Sequence, residues 1–221
     1  MTDVSGSLVG FALSARSSVP DGLRATVPAP AAAASPPAQE EHVAALRSAY
    51  PDGDPRADAL EAATALVHAG HHPLVAATAA AARIRNGARA EEATVLGCEI
   101  ACRLAAALGV RPDELSVVGA ALAASTAPAG GLYALGLAAT QATTATGSSD
   151  EPREVTALRT GLAAADGVEA ALLGDRGFTA PEVPVEGRRG LLALLAPEAD
   201  PQELVQDLGT QWYAEAVVGP G

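Results

Sequence analysis

From Pro73 to Arg85 the chain reads PLVAATAAAARIR, small and apolar in almost every direction. A helix without a polar face has to be enclosed by other helices, because alanine forms helix readily and none of its sides is built for water. The same texture recurs along the chain. Residues 40–50 (EEHVAALRSAY) and 55–69 (PRADALEAATALVHA) place apolar side chains at helical spacing, the second opening with Pro and Asp as a helix start does. RAEEATVLGCEIACRLAAALG, RPDELSVVGAALAASTA, GGLYALGLAATQATTATG and EVTALRTGLAAADGVEAALLGDRG continue the series. Alanine and glycine at so many inner positions let helix axes approach closely, and the expected fold is an all-α, layered helical bundle. The one short alternating stretch, EVPVEG at 182–187, contains Pro184, which demotes it to a loop. PAPAAAASPPAQ at 28–39 reads as a mobile linker. The expected organisation is therefore an N-terminal arm and linker over 1–39, then a single helical domain over 40–221.

Charge narrows the function. The 221 residues carry 14 basic and 26 acidic side chains, a formal charge of −12, and every basic residue is an arginine. Such a field repels phosphate backbones and anionic lipid, so neither nucleic acid nor a membrane surface is an expected partner. The absence of lysine removes Schiff-base chemistry and a P-loop. Cys98 and Cys102 lie four apart on one helix face and read as small core residues, without disulfide geometry. The N-terminus is acidic where a signal peptide is basic, and Gly, Pro and charges interrupt every long apolar run, so a cytoplasmic protein is expected.

Three of the four histidines cluster in LVHAGHHP. His68, His71 and His72 are spaced to meet on a metal if one helix ran through them, but Gly70 and Pro73 break the chain there, so no metal is expected. Glu99, among small apolar neighbours, is expected to pair with Arg103 one turn on.

The segment LRTGLAAADGVEAALLGDRGFTAPEVPVEGRRGLLALLAPEADPQELVQDLGTQW resembles the end of the helical domain of the MmgE/PrpD family. The likeness rests on Gly161, Ala163, Ala164, Gly167, Ala170 and Ala171 in one helix. The turn Gly177-Phe178-Thr179-x-Pro181, then Glu186-Gly187 and Gly190-Leu191, complete it. HPLVAATAAAARIRNGARAEEATVLGCEIACRL is similar to the family's His-Pro helix followed by its Gly-x-Glu-(Val/Ile)-x-x-Arg helix, here Gly97, Glu99, Ile100 and Arg103. The family includes 2-methylcitrate dehydratase and cis-aconitate decarboxylase. Its members dimerise through the helical domain and work on small di- and tricarboxylates in a cleft beneath an α+β lid, which would begin just after LGTQW.

Carried over residue by residue, that resemblance implies a depleted lyase site. The family's Asp and Thr upstream of the His-Pro fall on Ala62 and Leu66, and the stretch expected to hold a second histidine, SVVGAALAASTAPAGG, has none. The usual Lys falls on Thr156 and the His after it on Arg159, so His72 alone persists. Proton abstraction beside a carboxylate with loss of hydroxide or carbon dioxide needs a base, an acid and cations for the substrate carboxylates. Inherited dehydratase or decarboxylase activity is therefore not expected.

What remains is a repurposed lyase- or isomerase-type enzyme, performing isomerisation, dehydration or cyclisation of a small metabolite, plausibly in specialised metabolism and without a cofactor. The alternative is a non-catalytic dimerising partner or a small-molecule binding protein. His72 and Tyr133 are the candidate catalytic residues, the histidine as base or orienting group and the tyrosine as proton donor. Arg159, His71 and Thr156 are the candidate substrate contacts. Each has a plainer alternative: a helix-end cap for the histidines, an ion pair with Glu154 or Asp166 for Arg159, a core ring for Tyr133. Expected partners are a small-molecule substrate and a second copy in a homodimer, or a separate lid domain or full-length relative. Trp212 and Tyr213 are expected to seal the end of the bundle or lie against a dimer partner.

Overall fold

The computed structural model describes residues 3–14, 19–29, 37–142 and 151–218. Their order is α1 (Val4–Ser14), α2 (Asp21–Ala25), α3 (Pro37–Arg47), α4 (Pro55–His68), α5 (Pro73–Asn86), α6 (Ala90–Leu108), α7 (Ser116–Ala124), α8 (Pro128–Gln141), α9 (Arg153–Asp175), α10 (Leu191–Leu195) and α11 (Glu215–Val218). Short 3-10 turns lie at Gly87–Arg89, Pro112–Leu115 and Pro201–Leu204. No strand occurs among the described residues, and EVPVEG is a series of turns, so the all-α expectation holds.

Three helices form the enclosed centre. Every residue of α7 is buried, as are Leu74–Ala82 of α5 and Ala93–Ala105 of α6. Threonine hydroxyls inside these layers hydrogen-bond their own helices. Thr78 and Thr94 donate to carbonyls one turn back at 2.6 and 2.7 Å, so no hydroxyl is stranded in the apolar interior.

The long helix α9 packs on α4, α5, α7 and α8. Glycine makes this possible. A methyl group at Gly161 would lie 2.5 Å from Thr64 Oγ1 on α4, and one at Gly167 2.5 Å from Ala120 Cβ on α7, while Gly174 sits directly on Gly130 of α8. Contacts toward the two ends of α9 give the directions. Arg153 meets the His68 carbonyl and Glu169 meets Arg56 on α4, while Thr156 shares a hollow with Pro73 and Asp175 pairs with Arg85 on α5. Arg159 and Asp175 meet Asp113 and Thr126 on either side of α7, and Val155 and Gly174 lie by Gln141 and Gly130 of α8. α4 and α8 run antiparallel to α9, and α5 and α7 run parallel to it. The end of α4, the start of α5, the turn before α7 and the start of α9 thus share one end of the bundle.

The N-terminal segment differs from expectation. Where the sequence reading begins the packed body at residue 40, α1 lies in the core with Val4 and Leu8 fully buried among residues of α6 and α8. The reason lies far along the chain. Glu186 accepts the Val4 N–H at 2.9 Å and both its oxygens take the Ser5 N–H at 3.2 Å, placing a carboxylate on the first amides of α1. Phe11 meets Trp212 with ring centroids 5.9 Å apart, tying α1 to the C-terminal segment. Of the linker assigned to 28–39, residues 30–36 lie outside the described residues.

The Glu99–Arg103 pair forms as the spacing predicts, with Nε donating to Oε1 at 2.6 Å and both side chains almost wholly buried. Long-range contacts make it more than a helical pair. Arg103 also donates to the carbonyls of Leu204, Gln206, Asp207 and Gln211, and its guanidinium lies 4.7 Å from the centre of the Tyr213 ring. Glu99 Oε2 accepts the Ala214 N–H at 2.8 Å. Burial pushes the Glu99 carboxyl upward, and the Ala214 and Arg103 donors oppose that. Cys98 and Cys102 are free and buried, and burial raises both thiols, Cys102 to about 12.

Candidate functional site

The break at LVHAGHHP is where the site begins. α4 ends at His68, and the chain turns through Gly70 at φ +94, a conformation open to glycine and strained for other residues. The His71 N–H returns to the Leu66 carbonyl at 3.1 Å and the Gly70 N–H to Val67 at 3.0 Å, closing the helix end. α5 then starts at Pro73, with His72 as its N-cap. The three histidines are thus split between a helix end, a turn and a cap. Among the described residues no group of three or more His, Cys, Asp or Glu side chains is placed to hold a metal.

The His72 cap decides the chemistry of its ring. Nδ1 accepts the Leu74 N–H at 3.2 Å, so in the neutral imidazole the proton sits on Nε2. Burial lowers the pKa of this histidine. The Asp113 carboxylate opposes that shift, and the Arg111 guanidinium adds to it. At neutral pH the ring is therefore uncharged and presents Nε2–H as a donor. Of the two roles expected for it, the orienting one fits this geometry, since a base at Nε2 would have to abandon the cap.

Around this turn stand the first residues of α9 and the 3-10 turn before α7. Arg159 donates to Asp113 at 3.0 Å and to Glu151 at 3.1 Å. Thr156 donates to the same Glu151 oxygen, Oε2, at 2.8 Å. Arg111 pairs with Asp113 at 3.0 Å and faces Glu114 at 3.7 Å. His71, Glu151, Arg153 and Thr156 line one shallow hollow of about 250 Å³. Asp113 and Arg159 line a second, of about 330 Å³, along the side of α9.

His71, His72, Thr156 and Arg159 are therefore gathered at one end of the bundle. Arg159 is held by Asp113 and Glu151 rather than by Glu154 or Asp166, because the turn at Pro112 swings Asp113 over the start of α9. Tyr133 is not brought to this end. It lies on α8 beside Ala134, which packs against Gly174, fifteen residues along α9 from Arg159. At the helical rise that is about 20 Å from the histidines' end.

Asp113, Glu151 and Arg111 are not identified by the sequence reading, because Asp113 sits in a 3-10 turn and the other two in irregular chain just before an element, with no motif. The available signal was Pro112 opening a helix with acids behind it, which reads as ordinary helix-start chemistry.

Residues 56–204 match the family model described as MmgE/PrpD N-terminal domain. No curated protein matches the chain significantly. Among the described residues no single helix is long and apolar enough to cross a membrane.

Proposed function

Because the chain belongs to the MmgE/PrpD family through its helical N-terminal domain, we propose that its α4–α5 end supports proton transfer on a small carbonyl metabolite, a lyase- or isomerase-type reaction. The observation that carries this reading is the His72 cap, which leaves a neutral ring whose Nε2–H donates to no group among the described residues. A neutral imidazole polarises a carbonyl without giving up its own proton, and stabilises the enolate oxygen as charge develops there.

Glu151 is the proton acceptor in this scheme. Its Oε2 takes both Thr156 and Arg159, while Oε1 makes no hydrogen bond among the described residues. Removal of an α-proton by Oε1 sends the C–H electron pair into the carbonyl, and the carboxylic acid so formed returns the proton to the isomerised carbon or to a departing hydroxyl. Arg159 and Thr156 position the carboxylate. At this end Arg111 and Arg159 are paired with Asp113, Glu114 and Glu151, which leaves Arg153, bonded among the described residues to the His68 carbonyl, as a single cation, too few for a tricarboxylate. An uncharged or weakly charged substrate follows.

The test follows deuterium wash-in from heavy water into cyclohexanone and a β-hydroxy ketone by proton NMR. Wild-type protein should accelerate exchange or water loss, Glu151→Gln should abolish the acceleration, and His72→Gln should reduce it about tenfold or more. No acceleration by the wild type, or full activity in either variant, refutes the scheme. A non-catalytic partner or small-molecule binder is the second reading, favoured by the commitment of Arg159 to two carboxylates of its own chain.

A further inference from the structure

One face of α9 carries exposed apolar side chains that no described element covers. Val155, Leu158 and Leu162 are 47%, 39% and 37% exposed, although the opposite faces of the same helix are packed tightly on α4, α7 and α8. Spacings of three and four put the three side chains in one ridge. They border the open hollow of about 330 Å³, whose floor includes Val117 and Ala163. Asp166 extends the ridge by one further turn. Its carboxylate makes no hydrogen bond among the described residues, and burial together with Glu169 raises its pKa against the pull of Arg56. Asp113 and Glu114, both nearly buried and held by Arg111, stand on the other side of the hollow, whose one cation among the described residues, Arg159, is already held by Asp113 and Glu151.

We propose that this face is the docking site for an amphipathic helix of a partner protein, with an apolar stripe flanked by lysine or arginine. The straight ridge supplies the shape. A helix laid along α9 covers all three apolar side chains by ridge-into-groove packing, which a small molecule seated in so open a hollow does not. Charge selects the partner. A basic flank meets Asp166, whereas a second copy of this chain, with a net charge of −12, brings no such flank toward it. The inference is independent of the proton-transfer reading, since Leu158, Leu162 and Asp166 take no part in that scheme.

The probe is a fluorescently labelled, stapled helical peptide with leucines on one face and lysines beside them, titrated with the full chain and followed by anisotropy. The wild type should bind saturably, and Leu158→Asp should weaken binding roughly tenfold or more, equivalent to about 1.4 kcal/mol. Asp166→Asn should weaken it by a smaller factor, and a peptide with glutamates in place of the lysines should not bind. Leu162→Asp serves as the apolar variant if Leu158→Asp lowers the melting temperature. Binding that survives both leucine variants, or equal binding of the glutamate peptide, overturns the proposal. A wild-type dimer that Leu158→Asp converts to monomer overturns it too, because the occupant is then a second copy.

Discussion

Arg103 and Arg159 are both helical arginines facing carboxylates, and they do opposite work. Arg103 is 2% exposed, with Glu99 at 0%, and its donors run to one carboxylate, four carbonyl oxygens and an aromatic face. Arg159 is 29% exposed and holds two carboxylates that are 11% and 13% exposed beside open hollows. A buried charge is tolerated only when every donor has an acceptor, which turns the first constellation into a fastening for the C-terminal segment. Near solvent the same bonds are weak and exchangeable, so the second can rearrange around a ligand. Number of partners and access to water, rather than residue type, separate scaffold from site.

Breaking the buried pair should give the largest effect. Arg103→Met leaves Glu99 without its cation in an apolar interior and strands the carbonyls of Leu204, Gln206, Asp207 and Gln211, and should cost about 3–5 kcal/mol in urea unfolding. Adding Glu99→Leu should recover part of that loss. A single variant within about 1 kcal/mol of wild type would mean that water reaches the pair and that the contrast with Arg159 is false. Asp113→Asn makes the opposite test at the exposed end. It should cost about 1 kcal/mol or less, as for partly solvated pairs, and the cost should shrink at high salt.

The His72 cap lies between these extremes. His72→Ala removes the acceptor for the Leu74 N–H and should cost on the order of 1 kcal/mol, while His72→Asn keeps a capping oxygen and should cost less. Equal losses in the two variants would show that the cap is not what the ring contributes.

The smallest effect is with pH. The folded pKa of His72 lies below its ordinary value of 6.5, so the unfolded chain takes up the proton first. Its contribution to stability is complete above that value and is lost as pH falls from there toward the lowered folded pKa. Melting temperature should therefore drop more steeply with acid in wild type than in His72→Gln over that window. Parallel curves would show that the ring titrates freely, and the neutral Nε2–H donor role would fail with it.

Much of the site was legible in parts. The His-Pro break located the turn, and the family likeness set Thr156 and Arg159 beside it, because both are read from spacing within a helix. Tyr133 was drawn in by its place in the chain after a glycine pair, and the antiparallel course of α8 carried it to the far end. The acids that hold Arg159 come from a turn and from the residues just before α9, where no periodicity announces which side chain will face which.

Helix content, the enclosed small-residue layers and the Glu99–Arg103 contact were determined by sequence alone, since each depends on neighbours within about one turn and on which faces can bear water. The packing of α1 on the core, the four carbonyls around Arg103, the capture of Arg159 by Asp113 and Glu151, and the exposed ridge of α9 were decided only by the tertiary structure. Each joins segments far apart in the chain. Such contacts form when a common interior brings two surfaces together, and a local pattern holds no record of the surface it will meet.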